Sequence, residues 1–265
     1  MCAGLAYQAY CYVSIHPERF KSRASPDAGP LVSLKQVSGA YHTHSISAEV
    51  AKLQADEKYS EAKGFQMPLR HAGFQLELAK LLDAGHAMFL ELPTWLDDMP
   101  IDAALEQVHK ALAVMYLLNA GKPGVGGSFL VLHLITGAWG AEHVVTRLRD
   151  EAAQRHGLKC FWAAAVAVLM ASGTNVPTPQ ALQEAWDAND AADDDDSAEA
   201  HWAQIVDAAC WEEEEHNIKL AYVARQLWLR YGKWQGFRKA AASFTETPDI
   251  GPGRSKPFYS EKAAA

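Results

Sequence analysis

Ile205-Val-Asp-Ala-Ala-Cys-Trp-Glu-Glu-Glu-Glu-His-Asn-Ile-Lys-Leu-Ala-Tyr-Val-Ala-Arg-Gln-Leu227 is the stretch whose periodicity decides the fold. At about 100° per residue, Ile205, Ala209, Leu220, Val223 and Leu227 all fall within about 40° of His216. A helix over His201 to Tyr231 therefore buries a face centred on an imidazole. Glu212 and Lys219 stand at the shoulders of that face, and Glu213 lies on the other side of His216. A buried ionisable group needs a partner, and several converging on one apolar stripe point to a site. His216 and Lys219, three residues apart, share one side of the helix.

The same period recurs outward from this stretch. Leu105, Val108, Leu112 and Met115 form one stripe over Ile101 to Asn119. Phe74, Leu78, Leu81, Leu82, Phe89 and Leu90 do so over Leu69 to Leu92, which Pro93 stops. Shorter helices are expected over Ser45 to Ala62, Leu158 to Ser172 and Pro179 to Asp187, and a longer one over Ser128 to Asp150. The acidic run Asp187 to Glu199 reads as a solvated connector, because it lacks the glycine and alternating oxygen ligands of a calcium loop. Alternating β patterns are few and no internal repeat is evident. The expectation is all-α: one domain of about seven helices with long connecting loops over residues 1–235, followed by a loose tail over 236–265.

Composition narrows the function classes. The chain has 265 residues, of which 49% are hydrophobic, including 8 Trp, 9 Tyr and 9 Phe, enough for a substantial core. A formal charge of −8 argues against a nucleic-acid or anionic-lipid footprint. No apolar run reaches the roughly 18 residues of a membrane span, and no basic, apolar leader opens the chain, so a cytoplasmic protein is expected. Cys2, Cys11, Cys160 and Cys210 are far apart and read as small buried hydrophobes. The glycine-rich run Gly121 to Gly127 lacks the Lys-Ser/Thr ending and preceding strand of a phosphate loop.

A second imidazole sits on an apolar face in Leu132-His-Leu-Ile-Thr-Gly-Ala-Trp139. His133 shares its side of the helix with Phe129, Leu130 and Val144, and Thr136 stands one turn along. Gly137 and Gly140 leave that face without bulk. A helix-interior glycine costs about 1 kcal/mol relative to alanine, so either close packing or room for a ligand must justify the pair. Two histidines on separate long helices suit a metal held between facing helices of a bundle.

Leu132-His-Leu-Ile-Thr-Gly-Ala-Trp139 followed by Glu214-Glu-His-Asn-Ile-Lys-Leu220 resembles the questin oxidase-like family, which pairs a Leu-His-x-x-Thr-Gly/Ser helix with a late Asp/Glu-Glu-His-x-Ile-Lys helix. Phe161 to Pro179 and the Asp56/Tyr59 spacing are similar too, and the likeness runs loosely from about Gly4 to Trp234. The resemblance implies an oxidoreductase of secondary metabolism that uses dioxygen to open the ring of a small aromatic, anthraquinone-type polyketide, with NADPH as reductant. It also implies a mononuclear non-haem Fe(II) with His133 and His216 as ligands and a carboxylated Lys219 as a third. Thr136, Glu212 and Glu213 become the catalytic candidates beside them. A buried lysine loses its proton more readily, and its neutral amine can take up carbon dioxide to give an anionic oxygen ligand.

The family's N-terminal half, expected to hold further histidine ligands, is not matched. The chain therefore reads as truncated, with a protein partner covering the apolar opening Met1 to Ile15, or as a non-catalytic scaffold. His42 and His44 do not obviously replace the missing ligands. No Gly-x-Gly-x-x-Gly marks a dinucleotide fold, so NADPH use calls for an external reductase or an unrecognised pocket. Two Glu-x-x-His pairs, Glu106/His109 and Glu213/His216, keep a di-iron reading open, with Glu77 and Glu91 as bridging candidates.

Overall fold

Ala104, Leu105, Val108, Ala111, Leu112 and Met115 are all buried, so the three- and four-residue spacing builds one face of α1 (Ile101–Ala120). The computed structural model describes residues 94–120, 129–171, 179–193, 196–212 and 214–245. The expected helices over Ser45–Ala62 and Leu69–Leu92, the apolar opening Met1–Ile15, and His42 and His44 lie outside them. Among the described residues the elements that follow α1 are all helical: α2 (Phe129–Val145), α3 (Glu151–Ala171), α4 (Pro179–Asp187), α5 (Asp196–Cys210), α6 (Glu215–Arg230) and α7 (Gln235–Ala242). A short 3₁₀ turn, Thr94–Asp97, precedes them. The all-α expectation holds. None of these helices is long and apolar enough to cross a membrane.

The core forms where α1 packs on α2, α3, α4 and α7, and where α6 packs on α2, α5 and α7. Its largest fully buried side chains include Trp202, Trp228, Tyr116 and Phe237. Trp202 meets Trp228 edge-on at 5.8 Å between centroids, joining α5 to α6. Such aromatic pairs add about 0.5–1.5 kcal/mol beyond the area they bury.

Three expectations change. The stretch His201–Tyr231 is two helices: α5 ends at Cys210 and α6 begins at Glu215. Glu214 instead takes an extended backbone (φ −86°, ψ 107°), and its carboxylate accepts from the His216 backbone N–H as the cap of α6. The apolar positions of the predicted face are buried nonetheless, Ile205, Ala209, Leu220, Val223 and Leu227 among them, whereas His216 at its centre is only half-buried.

The acidic run Asp187–Glu199 is not simply a solvated connector. Asp193 is buried and accepts from Trp228 Nε1 at 2.9 Å and from Arg238 Nε and Nη2, each at 2.7 Å. Beside it, Ala192 bridges Trp234, and α5 begins at Asp196. Residue 236 does not begin a loose tail either. α7 places Phe237, Ala240 and Ala241 in the core, and Thr245 exchanges two hydrogen bonds with the buried Asn217 side chain at 2.8 and 3.1 Å. Tyr116 holds the same segment through Thr245 Oγ1 at 2.6 Å and the Ser243 carbonyl. These bonds fix the start of α6, one residue from His216, against the core.

Candidate functional site

His133 lies one turn inside α2, and His216 is the second residue of α6. Their rings stand 4.7 Å apart, centroid to centroid. Phe129 completes a triangle, 4.5 Å from His133 and 4.8 Å from His216, edge-on to both. Thus α2 and α6 bring together two imidazoles that are 83 positions apart in the chain, since 216 − 133 = 83.

Both rings are held by the same nitrogen. His133 Nδ1 is 2.7 Å from the carbonyl of Phe129, one turn earlier. His216 Nδ1 bonds Glu214 Oε1, the carboxylate that caps α6. A carbonyl and a carboxylate only accept, so each Nδ1 carries a proton, and in the neutral ring Nε2 is the nitrogen with the free lone pair. His216 Nε2 lies at the long distance of 3.9 Å from Glu215 Oε1. Desolvation lowers the pKa of His133; the Phe129 carbonyl and the charge of Glu214 oppose this, while the neighbouring His216 and Lys219 add to it. At neutral pH His133 is therefore a neutral imidazole, the form that binds metals.

The Questin oxidase-like family model matches residues 1–224, most of the chain and both of these helices up to Ala224. This chain belongs to the questin oxidase-like family. Membership suggests an oxidoreductase acting on a small molecule. No curated protein and no solved structure matches the chain.

The other site residues named from the questin oxidase-like motifs fall in different places. Lys219 is not buried. Its side chain is 53% exposed and its ammonium pairs with Glu215 at 3.0 Å, although it remains close enough to act on His133. Thr136 is half-buried and turned back on its own helix, 3.4 Å from the carbonyls of Leu132 and His133. Glu212 is half-buried and accepts from the Glu214 backbone N–H at 3.4 Å. Glu213 lies outside the described residues. Gly137 and Gly140 are exposed; among the described residues a Cβ at Gly137 would meet Phe161 at an ordinary 3.6 Å, and one at Gly140 would have no neighbour within 4 Å, so no close packing against these residues calls for either glycine. Val144, expected on the buried face, is 62% exposed, and Cys210 is exposed rather than core.

Sequence reasoning missed two groups in this questin oxidase-like fold. Glu214 stands in the sequence only as part of a motif, and because glutamate is not among the usual N-cap residues no sequence signal marks it as the cap of α6. The second is a buried cluster at the other end of the same helices. His109 Nε2 bonds Glu142 at 2.6 Å, both side chains being 1% exposed. Tyr231 donates to the same carboxylate at 3.3 Å, and Arg230 pairs with its other oxygen. The di-iron reading requires Glu106 and His109 to face one site. Instead Glu106 pairs with Lys110 at 2.7 Å, so Glu106 and His109 engage different partners. That division removes one half of the di-iron arrangement; Glu77 and Glu91 lie outside the described residues.

Proposed function

We propose that the chain is a metal-dependent oxidoreductase that opens the ring of a small aromatic, anthraquinone-like polyketide with dioxygen, and that His133 and His216 hold a mononuclear Fe(II). One observation carries this reading: two imidazoles from separate helices lie 4.7 Å apart, each with Nδ1 tied to a protein acceptor. Metal-binding histidines commonly donate the second ring N–H to a carbonyl or carboxylate, which fixes the tautomer and aims the other nitrogen. The donor set thus fits two ligands of an iron site. Among the described residues no group of three or more His, Cys, Asp and Glu is arranged to hold a metal ion, and in this reading the remaining ligands come from elsewhere in the chain.

Iron, when bound, supplies the one-electron chemistry that dioxygen needs to react with a closed-shell aromatic ring. The chain's own residues have simpler tasks. Phe129 presents an apolar edge to both imidazoles, partly shielding them from water. Two helix N-termini meet here, and their partial positive charge suits the neighbouring carboxylates of Glu214 and Glu215. Lys219 neutralises Glu215. For Lys219 to carry a carbamate it must leave Glu215 and lose its proton, so metal binding through it would depend on carbon dioxide. NADPH, the reductant implied by the family resemblance, would reach the site without a Gly-x-Gly-x-x-Gly fold in this sequence.

Metal analysis of the purified full chain tests the reading. One iron per chain, lost in both His133→Ala and His216→Ala, and dioxygen uptake on adding an anthraquinone with NADPH are expected. Iron content unchanged in the two variants would refute the assignment. Added bicarbonate strengthens metal binding in the native chain, and not in Lys219→Ala, if the lysine is a ligand.

A further inference from the structure

Glu214 performs two tasks with one carboxylate oxygen. Oε1 accepts from the His216 backbone N–H at 3.1 Å and from Nδ1 of the same residue's ring. The side chain is 11% exposed, and the backbone that carries it is the cap of α6. A helix cap needs only the first bond. The second does something a cap does not: it decides which nitrogen of His216 holds the proton. A neutral histidine side chain in water favours the proton on Nε2, so the ring requires an acceptor at Nδ1 to take the other form. His133 reaches the same form through a backbone carbonyl, which no substitution removes. Of these two histidines, His216 is the one whose tautomer depends on a side chain.

We infer that Glu214 is the positioning residue of the site: it fixes His216 with Nδ1 protonated and Nε2 free, and it makes this imidazole the stronger donor of the two. The second clause follows from charge, because an ionised acceptor withdraws the ring proton more strongly than a neutral carbonyl and raises the electron density left on Nε2. The inference about ligand strength rests on the metal-binding reading above; the inference about the tautomer stands without it. Glu215, the other carboxylate near this ring, does not substitute. It is 68% exposed, pairs with Lys219, and stays 3.9 Å from the opposite nitrogen.

The test uses the full chain labelled with ¹⁵N-histidine, first free of metal and at about pH 8, above the ordinary histidine range. In the native chain both His133 and His216 are expected with Nδ1 protonated. In Glu214→Ala, His216 moves to the Nε2-protonated form while His133 does not change. Glu214→Asn guards against loss of the helix start: asparagine caps as well as aspartate, but it is neutral and one methylene shorter than glutamate. It should keep α6 by circular dichroism and still lose the His216 tautomer. Titration with Co(II) follows, and Glu214→Asn is expected to bind about 10- to 100-fold more weakly than the native chain. A His216 tautomer that is Nε2-protonated in the native chain, or unmoved in both variants, overturns the positioning role even if Co(II) binds. A tautomer that moves as described in a chain that binds no Co(II) upholds the positioning role and overturns the metal reading. Equal Co(II) affinity in native and Glu214→Asn chains overturns the claim of unequal donors.

Discussion

Acid should loosen this protein through His109, and the sign follows from the surroundings of one ring. His109 is 1% exposed. Its Nε2 bonds Glu142, and its Nδ1 is a buried nitrogen with no hydrogen-bond partner among the described residues. Burial lowers the pKa of His109; the bond and charge of Glu142 oppose this, and the charges of Arg230 and His143 add to it. Glu142 cannot fully reward a second cation, because Arg230 already pairs with it. A proton on Nδ1 would also create a buried N–H facing no acceptor. The folded-state pKa therefore lies below the unfolded value of about 6.5. As pH falls, the unfolded chain takes up its proton first, so stability is complete above about 6.5 and drains away as pH falls toward the folded value. The slope for one group is at most about 1.4 kcal/mol per pH unit, so moving from about pH 7.5 to 5.5 should remove up to about 1.4 kcal/mol. In a chain of this size that corresponds to a Tm lower by about 3–5 °C. The comparison is with His109→Gln, whose amide donates to Glu142 but cannot titrate. Urea unfolding at three pH values gives both slopes, and the other histidines with lowered pKa, His133 and His201, are present in both proteins and cancel. The variant should lose less stability over the interval. Superimposable pH profiles would refute the reasoning, because they would mean that His109 carries the same charge folded and unfolded.

Two further predictions concern the packing that frames the site. Asp193→Ala leaves the guanidinium of Arg238 without its paired carboxylate and Trp228 Nε1 without its acceptor, and should cost about 3–5 kcal/mol in urea unfolding. Asp190→Ala, exposed in the same acidic run, should stay within about 0.5 kcal/mol of the native chain; equal losses would mean that the run acts only through its summed charge. Gly236→Ala places a Cβ 2.2 Å from the ring of Trp234, which is itself packed edge-on to Phe237 at 4.9 Å. Overpacking there should lower stability by about 1–3 kcal/mol, and an unchanged Tm would show that Trp234 has room to turn.

The helices of this fold were legible because their cores are periodic, and the failures share a cause. Periodicity assigns a helix one buried face. α1 packs on four neighbours, α2, α3, α4 and α7, so positions beside the main stripe are buried as well. His109, next to Val108, is one of them. Asp193 was read by the company it keeps in an acidic run, yet its fate is decided by Arg238, 45 residues away. Composition carries no information about such a pairing. Lys219 illustrates the reverse error. Its three-residue spacing from His216 gave it the right side of α6, but Glu215, four residues before it, offered a local partner at the solvent edge. The convergence of His133 and His216 was anticipated from two apolar faces, and the chemistry that aims their nitrogens was not, because Glu214 acts through the break between α5 and α6. Reading that stretch as one continuous helix concealed the cap.

The two clusters belong to one mechanical arrangement. His133 meets His216 near the beginnings of α2 and α6, and Glu142 meets Arg230 near their ends, so the helices run side by side in the same direction. At about 1.5 Å per residue, His133 and Glu142 are about 13–14 Å apart along α2, whereas His216 and Arg230 are about 21 Å apart along α6. The long arginine side chain spans that mismatch by reaching back toward Glu142. Two helices joined at a single point can pivot; joined at both ends, and with α6 further tied to α7 through Asn217 and Thr245, they cannot slide without breaking a buried bond. The separation of the two imidazoles is therefore set by a carboxylate two and a half turns from His133 as well as by the groups that touch the rings. A histidine pair only half enclosed by the described residues is in this way tied to buried bonds further along the same helices.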